Sequence, residues 1–216
     1  MEFDVACIVS DRPVSTDLIG HLQYYGIPVL GSTLHSETMV SDQLFMKHVL
    51  AANKVPMAPW TSLNLVHLQE DEKEHVRKVK RLGYPIWCKA TAYDPSFDEV
   101  RVTDREELKT VLLHASLSQR DVIAEKEIAG VRTFDTVYLK AGETEKVGKV
   151  TEAGTLCEPP AEQWLNQIRV LAIEACRALR IEGVCKVRFF ANPANDTILV
   201  ERIKTYPEQY GYPLFA

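Results

Sequence analysis

Four cations alternate with other residues near the end of the chain. Lys186 and Arg188 sit in VCKVRFF (184–190), Arg202 and Lys204 in LVERIK (199–204). Both segments are rich in β-branched or aromatic residues and read as strands, Val184–Phe190 and Thr197–Ile203, joined by the polar turn Asn192-Pro-Ala-Asn-Asp196. On adjacent antiparallel strands, residues two apart point to the same face, so one surface is expected to carry all four side chains. Gathered like charges destabilise a fold unless something negative faces them. Two readings stay open. Acids of the chain, such as Glu201, Glu208 or Asp98, pair with the cations, or the surface holds a ligand's carboxylate or phosphate without a metal.

Other groups suggest less chemistry. The six histidines (His21, His35, His48, His67, His75, His114) are dispersed, with no HxxxH or Ser-His-Asp grouping. The five cysteines (Cys7, Cys88, Cys157, Cys176, Cys185) show no CxxC spacing, and several lie in apolar runs as core residues would. Cys88 precedes Lys89 on a strand, where alternation puts it on the opposite face and favours packing over nucleophilic attack. Tyr206, Tyr210 and Tyr212 could line a pocket, although packing is the commoner role. A net charge of −5 gives no general reason to expect nucleic-acid binding. Acidic Glu2 and Asp4 stand where a signal peptide needs basic residues, and no apolar stretch approaches a membrane span. With scattered, unpaired thiols, the expectation is a cytoplasmic protein away from membranes.

The elements that must position these residues are mixed α/β. Strand Val5–Val9, helix Leu18–Tyr25, strand 27–30 and helix Ser36–Asn53 give an alternating opening. The stretch Met57–His67 reads as a linker, with a domain boundary near 56–66, and Glu70–Arg81 as a solvated helix anchored by Val76 and Val79. Strands follow at 86–89 and Val100–Val102. Thr103 and Glu106 form an expected capping box for the helix through Leu108, Val111, Leu112 and Ala115. Two further strands are expected at Val122–Ala124 and Thr136–Leu139. The helix Ala161–Leu179 carries an apolar stripe of Trp164, Ile168, Leu171, Ala172, Ala175, Ala178 and Leu179.

Four segments resemble the D-alanine–D-alanine ligases of the ATP-grasp fold. Tyr24–Trp60 (YYGIPVLGSTLHSETMVSDQLFMKHVLAANKVPMAPW) is similar to their LLGIPYTGS…A…MDK…K…L…AGIPTPPW stretch. Leu82–Ala90 (LGYPIWCKA) resembles the strand LGYPVIVKP, and Asp121–Gly130 (DVIAEKEIAG) the hinge VLVEEFIxG. Ala178–Pro207 resembles ALGLRGxxRVDFF…xxxINEVNTxP. The resemblance implies a partial N-terminal α/β domain (1–58), a central ATP-grasp subdomain (59–132) and a C-terminal one (133–216), with ATP gripped between the last two. Both ends are expected to be short. The family's glycine-rich opening has no counterpart before Phe3, and its last helix none after Tyr212-Pro213. The span Thr133–Pro159 is brief for the loop that closes over substrate.

Carried over residue by residue, the resemblance implies altered chemistry. The metal-binding aspartate of RVDFF is Arg188; the glutamate and second asparagine of NEVNT are Arg202 and Lys204. Magnesium needs oxygen ligands. At an effective dielectric near 20, a unit charge ~4 Å from a divalent ion is worth roughly 8 kcal/mol, and reversing its sign makes that repulsive. Glu201 aligns with the first asparagine and is expected to face away from Arg202. The phosphate-covering loop aligns with residues 92–98, which lack glycine and carry Asp94 and Asp98. The ribose-binding glutamate is Arg132, and the first lysine of MDK…K is Gln43. Lys47 keeps the second lysine, Lys89 the phosphate-touching lysine and Glu125 the adenine-side acid. Lys186 keeps a cation where the family stabilises an oxyanion. For Lys89 and Glu125 a solvated surface role stands beside the binding one.

The favoured expectation is an ATP-grasp relative that has lost magnesium-dependent ligation and binds an anionic small molecule, a nucleotide or a protein partner through a basic cleft. No cofactor is required on this reading, ATP is held weakly, and Mg²⁺ is not held. One alternative is an ATP-dependent carboxylate–amine ligase with displaced metal ligands. Another is a metal-free enzyme that uses the basic pocket.

Overall fold

A computed structural model describes residues 5–8, 16–64, 68–92, 99–117, 121–153 and 162–205. These divide into two units: Met1–Ser41 with Phe45–Met57 and Gly130–Ala216, and Asp42–Leu44 with Ala58–Ala129.

The first unit opens with strand β1 (Ala6–Cys7), helix α1 (Thr16–Tyr24) and strand β2 (Val29–Leu30), the two strands pairing in parallel. The expected single helix from Ser36 is two, α2 (Leu34–Ser41) and α3 (Gln43–Ala52). Asp42 interrupts them. It occupies the N-cap position of α3, where a short polar side chain is favoured, and the Gln43 amide donates to the Thr91 carbonyl at 2.7 Å instead of continuing the helical ladder.

In the second unit, Trp60–Leu63 is a strand, β3, where a linker was expected. The prolines before it hide a segment whose Trp60, Thr61 and Leu63 suit a sheet. Helix α4 (Leu68–Leu82) buries Val79 and leaves Val76 partly covered. Strands β4 (Ile86–Ala90) and β5 (Val100–Val102), helix α5 (Arg105–Leu117) and strand β6 (Val122–Lys126) complete the unit. The antiparallel sheet has the order β3-β6-β4-β5. The cap of α5 is displaced by one residue from the expected box. Asp104 Oδ1 accepts the amides of Glu106 (2.8 Å) and Glu107 (3.0 Å), and Glu107 reaches back to the Thr103 amide at 2.6 Å. Glu106 instead accepts from Lys109. A carboxylate at the cap position competes well with a hydroxyl for these amides.

The chain then returns to the first unit. Strand β7 (Arg132–Ala141) begins four residues before the expected one. Strands β8 (Thr144–Val147) and β9 (Thr151–Ala153), which were not expected, both pair with it. Their polar sequences, TEKV and TEA, carry no apolar alternation to announce them. Helix α6 (Glu162–Ala178) buries Trp164, Ile168, Ala172 and Ala175 against the sheet, as its apolar stripe requires. Strands β10 (Gly183–Asn192) and β11 (Thr197–Lys204) finish the order β11-β10-β7-β8. Gly183 is confined to glycine: its φ is +94°, and a Cβ would lie 1.8 Å from the Gly31 carbonyl oxygen. Beyond β11, the buried Thr205 hydroxyl donates to the buried carboxylate of Glu37 on α2. Among the described residues no helix is long and apolar enough to cross a membrane.

Candidate functional site

Strand β10 alternates strictly. Cys185, Val187 and Phe189 are buried in the core of the first unit, and Lys186 and Arg188 lie between them on the other face. Its antiparallel register with β11 sets Lys186 opposite Lys204 and Arg188 opposite Arg202. Directly opposed residues share a face. The register then shifts, Phe189 pairing with Val200, so Glu201 is an extra residue on β11. This bulge corrects the expectation that Glu201 faces away from its neighbour. Its carboxylate lies 3.3 Å from the Arg202 guanidinium.

The principal acid here is one the sequence did not single out. Asp135 lies directly opposite Arg188 on the other flank of β10. Its carboxylate accepts from Arg188 Nε at 2.8 Å and Nη2 at 3.0 Å, and lies 3.0 Å from Lys186 Nζ. Burial pushes this carboxyl's pKa up, yet the bonds from Arg188 and Lys186 outweigh burial and hold it below its ordinary value. Glu208 and Asp98, expected as compensating acids, lie outside the described residues. A row therefore runs across the sheet, Arg202–Arg188–Asp135, with Lys204–Lys186 beside it.

The second unit carries a different grouping. Lys89 on β4 and Glu125 on β6 have side chains only 11% and 9% exposed, and their charged atoms are 3.0 Å apart. A second acid, Glu99, lies 3.7 Å from the same lysine. The solvated-surface reading of Lys89 and Glu125 therefore does not hold; burial forces the pair together because either charge alone would be costly there. Lys47, on α3 of the first unit, is 2% exposed. Arg132, where the resemblance puts a ribose-binding glutamate, donates to Glu152 at 2.8 and 2.6 Å and stacks over Phe134 and Trp164.

Three of the five cysteines, Cys88, Cys176 and Cys185, are core. Cys88 is buried, and loss of solvation pushes it up to about 12, far from nucleophilic thiolate. Cys176 and Cys185 are buried together with sulfurs 3.4 Å apart. Tyr206, Tyr210, Tyr212 and the loop acid Asp94 lie outside the described residues. Among the described residues no group of three or more His, Cys, Asp or Glu could hold a metal ion.

Residues 49–158, half of the 216-residue chain, match the family described as D-ala D-ala ligase C-terminus. The chain belongs to the D-alanine–D-alanine ligase family. A ligase of that name from Kineococcus radiotolerans is 28% identical, over 95% of this chain and 62% of its own length. The chain spans about three fifths of the length of the first curated D-alanine–D-alanine ligases it matches. In three dimensions it is similar to the D-alanine–D-alanine ligase from Coxiella burnetii, with a TM-score of 0.83 at 22% identity, covering 98% of this chain and 62% of that one. It is also similar to the enzyme from Bacillus anthracis complexed with ATP, with a TM-score of 0.73 at 19% identity, covering 90% and 65%. The fold is the ATP-grasp fold of the D-alanine–D-alanine ligases, built here from mixed α/β units.

Proposed function

We propose that this member of the D-alanine–D-alanine ligase family no longer performs magnesium-dependent ligation, and that the face formed by β10 and β11 binds an anionic small molecule. The observation that carries the reading is the register of Arg188 against Arg202 and Lys186 against Lys204. Three of these cations stand where the family resemblance places metal ligands. They do not fit a divalent cation: magnesium takes hard oxygen donors, and each cation here repels it. Of the two acids beside them, Asp135 already accepts bonds from Arg188 and Lys186, and Glu201 lies 3.3 Å from Arg202. Guanidinium and ammonium donors suit a carboxylate or phosphate held directly, without a metal.

ATP is a weak ligand on this reading. The family resemblance assigns Lys47, Lys89 and Glu125 to the nucleotide, but Lys89 is already paired with Glu125 and Glu99. A cytoplasmic location belongs to the same proposal and is supported by the free thiols Cys88, Cys176 and Cys185.

Calorimetric titration with ATP, with and without Mg²⁺, tests this reading. The expected result is anion binding that Mg²⁺ does not strengthen. Micromolar ATP binding that requires Mg²⁺ would restore a ligase with displaced metal ligands. The combined change Arg188→Asp, Arg202→Glu and Lys204→Asn should bring back measurable magnesium affinity.

A further inference from the structure

We infer that Asp135 is a built-in occupant of the cationic face, a positioning residue that a ligand must displace and that selects for phosphate-type anions over single carboxylates. The inference rests on the anion-site reading above. Asp135 engages Arg188 side-on through Nε and Nη2 and bonds to Lys186 with the same carboxylate. A ligand's carboxylate or phosphate would use this fork geometry. The side chain is 14% exposed and anchored on strand β7, directly opposite Arg188, so backbone pairing sets its position.

The charge arithmetic gives the selectivity. A monocarboxylate that displaces Asp135 exchanges one carboxylate for another on the same two cations and gains little. A phosphate dianion brings a second charge and a third oxygen to a face where four cations, Lys186, Arg188, Arg202 and Lys204, meet two acids, Asp135 and Glu201, so positive charge remains in excess. Asp135 thus excludes ordinary carboxylates while the face stays accessible to phosphate or a phosphate monoester. Burial raises the Asp135 pKa and its cationic partners lower it by more, so the carboxylate is ionised, and competes, at neutral pH.

The test is calorimetry on the full chain and its Asp135→Asn variant, with inorganic phosphate and with acetate as probes. The unaltered chain should bind phosphate at least about tenfold more tightly than acetate. Asp135→Asn should tighten acetate binding by about tenfold and narrow the preference. Acetate affinity unchanged or weakened in the variant overturns the inference. Carboxyl-carbon NMR of the unaltered chain gives a second measurement that does not depend on the variant folding. At neutral pH, where phosphate carries its second charge, the Asp135 carboxyl resonance should shift as phosphate is added. A resonance that stays fixed while phosphate binds overturns the inference, and phosphate binding by neither protein removes the anion-site reading itself.

Discussion

In the first unit, two acids face four cations: Asp135 bridges Lys186 and Arg188, and Glu201 lies beside Arg202, with Lys204 opposite Lys186. In the second, two acids serve one cation, with Glu125 and Glu99 flanking Lys89. The resemblance to the D-alanine–D-alanine ligases assigns phosphate-side chemistry to both places. A lysine flanked by two carboxylates is already compensated within the fold. A carboxylate shared by two cations leaves one positive charge uncompensated by it, and the proposed anion site rests on that excess. A retained fold does not fix the electrostatic balance around the matched residues.

The contrast can be broken first at Lys89. Lys89→Met leaves the buried Glu125 without that partner and should destabilise the protein by about 3–5 kcal/mol in urea unfolding. A near-neutral result would mean that the pair is hydrated and the two regions are alike. Asp135→Asn should cost about 2 kcal/mol at neutral pH, because Arg188 and Lys186 lose a charged acceptor. The Asp135 carboxyl titrates lower in the fold than in the unfolded chain. Its contribution is therefore complete above the unfolded aspartate pKa and is lost as pH falls through the folded value. Stability curves of the two proteins should converge in acid. Arg132→Gln should cost about 1 kcal/mol by removing a charged donor from Glu152. As the smallest effect, Lys78→Ala breaks an exposed helical pair with Glu74 and should shift stability by about 0.4 kcal/mol in thermal melting.

Local patterns made much of the fold legible. The stripe from Trp164 to Leu179 and the alternation around Lys186 and Arg188 each need only neighbouring residues to be read. The same holds for the strand reaching Lys89, whose neighbour Cys88 is core. What stayed hidden is non-local. Asp135 lies fifty-three residues from Arg188, and only the neighbour order β11-β10-β7 brings them together. The bulge at Glu201 depends on a register that strand periodicity does not fix. Glu99 could not be joined to Lys89 before β5 was known to flank β4. The one-residue displacement of the α5 cap is a competition between Thr103 and Asp104, two adjacent residues that can both cap.

The central claim is the loss of magnesium-dependent ligation, and a turnover assay addresses it most directly. Purified protein is incubated with ATP, Mg²⁺ and D-alanine, and released inorganic phosphate is measured against a protein-free control. The account predicts no D-alanine-dependent phosphate release above that control. Sustained release that needs both D-alanine and Mg²⁺ would contradict it.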